Sequence, residues 1–120
     1  KLADIGVQGI VLSNHGGRQL DKGPVMIELL PKVAEKVGGR LDIYVDGGFM
    51  TGQDVVAAIA FGAKAVLIGR AYLYGIMADG QNGVEKVVEI LQAEISNTMA
   101  LMGISKISEI NSSHAKLRNY

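Results

Sequence analysis

Three short runs of apolar, mostly β-branched residues punctuate the chain: Gly9-Ile10-Val11-Leu12-Ser13, Ile43-Tyr44-Val45 and Ala65-Val66-Leu67-Ile68-Gly69. None alternates between apolar and polar. Such runs predict strands covered on both faces, as in a parallel sheet wrapped by helices. Helical patterns lie between them. Pro24 suits a first helical position, and Pro31 is expected to restart or kink the same segment. Beyond it Leu30, Val33, Ala34 and Val37 form an inward stripe while Lys32, Glu35 and Lys36 face out, and Gly38-Gly39 supplies a left-handed stop. Thr51-Gly52-Gln53-Asp54 has capping-box spacing and opens a helix through Val55, Val56, Ile59 and Ala60 that stops at Gly62. A third helix is expected from Arg70 to about Ala78. The longest follows Asn82, with Glu85 as its capping partner, and buries Val84, Val87, Val88, Leu91, Ile95 and Met99 before Gly103 closes it.

Strand, loop and helix repeated three times predict a (β/α)3 α/β unit of parallel strands with flanking helices and right-handed crossovers. A closed eight-fold barrel takes roughly 250 residues, so 120 residues would supply somewhat under half of one. The alternative is a small open doubly wound sheet. Residues 1–120 read as one domain, with a polar, aperiodic tail from Asn111 to Tyr120 that is expected to fray. The opening Lys1–Gly6 reads as the end of a helix closed by Gly6.

Composition sharpens this. Apolar residues make up 48% and there are 16 glycines, a high apolar content that is expected of part of something larger. Lysine and arginine number 12 against 12 acidic residues, a balance that argues against nucleic-acid binding through a basic face. With no cysteine, a disulfide framework, a thiolate metal site and a cysteine nucleophile are excluded. No run reaches the ~18–20 apolar residues of a transmembrane helix, and the expectation is a soluble protein.

Chemistry in α/β folds sits in the loops after the strands. The first here is Ser13-Asn14-His15-Gly16-Gly17-Arg18-Gln19-Leu20-Asp21. His15 can exchange a proton near neutral pH, and Arg18 offers a planar fork that suits a carboxylate. A proton acceptor beside a carboxylate anchor is what oxidising or isomerising a small organic acid requires. The second loop, Asp46-Gly47-Gly48-Phe49-Met50-Thr51-Gly52, lets backbone N–H groups approach a ligand, and the helix start behind it favours an anion. Asp46 can accept hydrogen bonds from a sugar hydroxyl. The third is Ile68-Gly69-Arg70. If the last two strands correspond to strands 7 and 8 of a barrel, Gly48, Gly69 and Arg70 converge on one phosphate. Met77, Met99 and Met102, like Tyr72 and Tyr74, are expected to pack, and Asp79–Gly83 reads as a loop and cap.

Taken in order and spacing, Ser13–Asp21, Asp46-Gly47-Gly48 and Ile68-Gly69-Arg70-Ala71 resemble the FMN-dependent 2-hydroxy acid dehydrogenases and oxidases. The stretch from Gly69 to Ile110 is most similar to the bacterial L-lactate dehydrogenases of that family. The resemblance implies the C-terminal (β/α)3 portion of a TIM (β/α)8 barrel that oxidises L-lactate or a related small 2-hydroxy acid, passing electrons to FMN. It implies His15 as the base, Arg18 as the substrate-carboxylate anchor, and Asp46, Gly47, Gly48, Gly69 and Arg70 as the residues that hold FMN. Met50 stands where many members carry an arginine on the FMN phosphate. The family's flavin-facing lysine, substrate tyrosines and base-orienting carboxylate fall in the first five β/α units. The implied partners are therefore the N-terminal part of the barrel and copies of the chain in a homo-oligomer, and the implied location is cytoplasmic or peripheral at the cytoplasmic membrane face. The alternative is a non-catalytic phosphate- or flavin-binding half-barrel that self-associates.

Overall fold

The computed structural model describes residues 1–37 and 39–118. Three parallel strands, β1 (Gly9–Leu12), β2 (Asp42–Asp46) and β3 (Ala65–Leu67), form one sheet in the order β1-β2-β3. Helix α1 (Met26–Val37) links the first two, α2 (Gly52–Ala60) links the second and third, and α3 (Arg70–Leu101) follows. The register pairs Leu12 with Val45 and Val45 with Val66, so the strands finish at one edge. None of the described helices is long and apolar enough to cross a membrane.

The helices cover one face of the sheet. Leu30 of α1 and Val45 of β2 are fully buried, and Ile43, Met26, Phe49, Ala58 and Ala63 complete the cluster around them. Fully burying a Leu or Val side chain stabilises by about 1.5–3 kcal/mol. The other face is open, contrary to the two-sided cover that the apolar runs predict. Val11 is 54% and Leu67 45% exposed there. The pleat explains this, since Val11, the paired Tyr44 and Ala65, and Leu67 all point away from the helices.

Helix starts and stops differ from expectation in instructive ways. Pro24 lies outside α1, its carbonyl turned toward the Asn14 side chain. Pro31 neither restarts nor breaks the helix, which continues through it. The cost of an internal proline, roughly 3 kcal/mol, is offset by the stripe around it, where Val33, Ala34 and Val37 join Leu30 against the core. Gly38 is outside the described residues; Gly39 has the left-handed φ of +72° expected of a stop. The capping box of α2 is present as read, with Thr51 accepting from the Asp54 N–H and Asp54 accepting in return. Gly6 closes a 3-10 turn over Ala3–Ile5.

The last helix breaks at Asp79 and Gly80, where backbone angles leave the helical region, giving segments 70–78 and 81–101. Asn82 therefore sits inside the second segment instead of capping it, and Gln81 donates to Glu85 at 2.8 Å. The break lets the two segments cross where Gly75 meets Gly83; a Cβ on either glycine would overlap the other's backbone. Met99 and Ile104 pack with Val56 in a second cluster, joined by Met102. Met77 does not pack: it is 80% exposed, and Tyr72 and Tyr74 are also exposed. The polar tail carries a 3-10 turn at Ser112–His114, capped by Asn111, and its residues 119–120 are outside the described residues.

Two outcomes follow from this packing. Leu30→Ala is expected to cost about 2–5 kcal/mol in urea unfolding, and Met77→Ala no more than about 0.5 kcal/mol in either direction. Glu109 accepts N–H groups from Ser105 at 2.9 Å and Lys106 at 3.3 Å, and these donors hold its carboxyl below the ordinary glutamate value. A depressed folded value means that the carboxylate's contribution is complete above the ordinary range and fades as pH falls through the folded value. Amide exchange at Ser105, corrected for its intrinsic rate, should therefore accelerate below about pH 4.

Candidate active site

Parallel strands deliver their following loops to one edge, and the three loops meet there around a cavity of about 420 Å³. His15 and Arg18 line it from the first loop, Asp46, Gly47 and Gly48 from the second, and Gly69 and Arg70 from the third. All seven residues singled out in the sequence are thus brought together. Phe49, Met50, Leu67 and Ile68 supply apolar wall, and Tyr72 and Leu73 extend it from the first turn of α3. Tyr72, read from sequence as a packing residue, belongs to this wall; its place two residues after Arg70 was the available signal.

The first loop makes a left-handed turn. His15, Gly16 and Gly17 have φ of +56°, +65° and +76°. This region is cheap for glycine, but costs roughly 1–2 kcal/mol for a residue with a Cβ. Hydrogen bonds hold His15 there: the Gly17 N–H donates to the Asn14 carbonyl at 3.0 Å and the Arg18 N–H to the His15 carbonyl at 3.3 Å. Ser13, which sequence reasoning did not single out, is the junction of two loops. Its hydroxyl accepts the His15 N–H at 3.0 Å and donates to Asp46 Oδ1 at 2.7 Å. The base candidate is thereby tied to the carboxylate at the end of β2.

The second loop turns through Gly47 and Gly48, with φ of +104° and +87°. A Cβ on Gly47 would sit 2.9 Å from Asn14 Oδ1, whereas one on Gly48 would meet nothing within 4 Å. Gly48 therefore presents its backbone to open space. The helix start behind this loop is not a free anion site, which corrects the sequence reading. Asp54 accepts the N–H groups of Met50 and Thr51, and Glu94 reaches across from α3 to accept the Gly52 N–H at 2.6 Å. Two carboxylates already occupy the position where a phosphate would go, and their charge opposes another anion.

The start of α3 is different. Gly69 caps it without any side-chain hydrogen bond and has open space around it. Arg70 follows and arches over the first loop, close enough that a Cβ on Gly16 would lie 3.4 Å from its Nη2. Neither Arg18 nor Arg70 forms an ion pair among the described residues. One uncapped helix N-terminus with an unopposed guanidinium suits an anion, and a second guanidinium and an imidazole line the same cavity.

The two glycines of the second loop separate backbone strain from crowding. Gly48→Ala is expected to cost about 1 kcal/mol for its positive φ alone. Gly47→Ala adds the clash with Asn14 and should cost at least about 1 kcal/mol more, as read by urea unfolding of both variants side by side.

The FMN-dependent dehydrogenase family matches residues 1–117. A Mycobacterium tuberculosis protein provisionally named as an L-lactate dehydrogenase is 55% identical over 94% of this chain and 27% of its own length. A peroxisomal (S)-2-hydroxyacid oxidase of Arabidopsis thaliana is 47% identical over 99% of this chain and 33% of its own. A mandelate oxidase variant solved with a monooxide FMN adduct superposes with a TM-score of 0.88 at 41% identity, over 92% of this chain and 35% of that one. The chain thus spans about a third or less of the relatives it matches, and its fold is the (β/α)3 portion of their TIM barrel. It belongs to the FMN-dependent dehydrogenase family.

Proposed function

We propose that this chain carries the base, the carboxylate anchor and the phosphate side of a site that oxidises a small 2-hydroxy acid, L-lactate, to its 2-oxo acid with FMN. The observation behind this reading is the convergence of His15, Arg18, Asp46, Gly48, Gly69 and Arg70 on one cavity. The donor set fits FMN. A phosphate is served by the uncapped N-terminus of α3 and the Arg70 guanidinium, and the open backbone at Gly48 and Gly69 leaves room for close approach. Asp46 spends one oxygen on Ser13 and retains acceptor capacity for ribityl hydroxyls. Met50, at 45% exposure on the cavity wall, adds no charge, so Arg70 is the side-chain cation on the phosphate.

When bound, FMN supplies the two-electron acceptor for the substrate. Arg18 pairs with the carboxylate of the acid and fixes which end faces the base. His15 takes a proton from the bound acid, and the left-handed turn holds the imidazole at the cavity without a carboxylate partner among the described residues. The lactate preference rests on the likeness to the M. tuberculosis protein. The N-terminal portion of the barrel is proposed as the partner that covers the open sheet face and completes the site.

The test is a visible spectrum of the purified chain after excess FMN and desalting, with Arg70→Ala alongside. A retained flavin band that Arg70→Ala weakens at least about 10-fold (~1.4 kcal/mol) supports the phosphate assignment. Addition of the complementary N-terminal portion should then permit flavin bleaching by L-lactate that His15→Ala abolishes. Flavin retention without bleaching would leave a binding half-barrel instead of an enzyme, and equal retention by Arg70→Ala would overturn the phosphate assignment.

A further inference from the structure

The mechanism above leaves one buried polar group unused. Asn14 lies between Ser13 and His15, and its Oδ1 is buried with no hydrogen-bond partner among the described residues. Its orientation is not arbitrary. Nδ2 donates to the Pro24 carbonyl at 3.3 Å, bridging ten residues of loop. Turning the amide over would set two carbonyl oxygens against each other, so the Pro24 carbonyl fixes Oδ1 on the opposite side. That side faces Gly47, at a separation that would leave only 2.9 Å to a Cβ there. The same residue's backbone carbonyl accepts the Gly17 N–H at 3.0 Å and closes the left-handed turn.

Asn14 therefore touches three things that have to be held together. It closes the turn that carries His15, ties down the far end of the loop that carries Arg18, and abuts the glycine turn of the second loop. A buried amide oxygen without a donor is unfavourable, and it persists where the surroundings determine the geometry. We propose that Asn14 is a positioning residue: its carboxamide pins the loop bearing His15 and Arg18 against Gly47 and so sets the base and carboxylate anchor relative to the phosphate side of the cavity. Ser13 stitches the same two loops through its hydroxyl, which holds the strand ends together. Asn14 adds control over the loop's far end. The roles of His15 and Arg18 rest on the function proposed above, but the pinning itself does not.

The experiment compares Asn14→Ala and Asn14→Asp with the unaltered chain, by amide exchange and by binding of oxalate, a dicarboxylate probe, and of FMN. The Asp variant keeps the shape but replaces the donor to Pro24 with an acceptor. Both variants should speed exchange at Gly17 and Arg18 at least 10-fold, and leave the β2 and α2 amides within about 2-fold. Oxalate affinity should fall at least 10-fold while FMN affinity changes less than about 3-fold, because Gly69 and Arg70 are untouched. Unchanged exchange at Gly17 and Arg18 would overturn the proposal, as would loss of protection throughout the chain, which marks a merely structural residue. A parallel loss of FMN and oxalate binding would also overturn it. Should the unaltered chain bind no oxalate, the exchange pattern alone decides whether Asn14 pins the loop.

Discussion

Parallel pairing makes β1, β2 and β3 run out at the same edge of the sheet. With Leu12, Val45 and Val66 in one row, the next residues of each strand have no choice but to turn into a shared space. The cavity exists because of that register. A slip of one residue in the β1–β2 pairing would also exchange the faces, setting Ile43 and Val45 on the side opposite Ile10 and Leu12 and taking Asp46 away from Ser13. The hydrogen bond from the Ser13 hydroxyl to Asp46 is therefore made possible by the sheet and in turn fixes where the first loop begins.

The division of labour between the helix starts has an electrostatic cause. Each helix that follows a strand offers unsatisfied N–H groups toward the cavity edge. In α2 those groups are consumed by Thr51, Asp54 and the incoming Glu94. The close approach is possible because Gly52 has no side chain: a Cβ there would run into the backbone of Ile95. The same contact packs α2 against α3 and removes one anion site. The start of α3 remains open, and the cation that faces it comes from its own first residue. Packing thus selects which of two equivalent positions can take a negative charge.

Much of this is legible in the sequence, for local reasons. The capping box at Thr51 and Asp54, the stop at Gly62 and the stripe through Leu30 and Val37 depend on residues within a few positions of each other, and spacing reveals them. What is not legible depends on partners far along the chain. Glu94 lies 42 residues from Gly52, and nothing in the local pattern at either site announces the pairing. The helix break at Asp79-Gly80 in place of Asn82 is settled by the crossing of Gly75 with Gly83. Pro31 signals a break locally, yet the buried stripe around it carries the helix through. The seven candidate residues stand out because each loop is chemically unusual and the three loops in order resemble a known family, whereas Ser13 and Asn14 look ordinary until their partners at Asp46, Pro24 and Gly47 are in place.

The open face of the sheet connects fold and chemistry. Apolar strands are costly to leave bare, and Val11 and Leu67 point away from α1 and α2 while Ile10, Leu12 and Val66 point toward them. β1 and β3 are also edge strands whose outer backbone groups lack a neighbouring strand in this sheet. Both features leave the sheet able to accept a strand beside β1 and beside β3. A surface that completes the sheet would at once bury Val11 and Leu67 and enclose the space bounded by His15, Arg18 and Arg70. Enclosure lowers the local dielectric, and charge-assisted hydrogen bonds strengthen there. The pull toward covering apolar strands and the gain in holding an anion beside Arg18 or Arg70 would therefore act in the same direction.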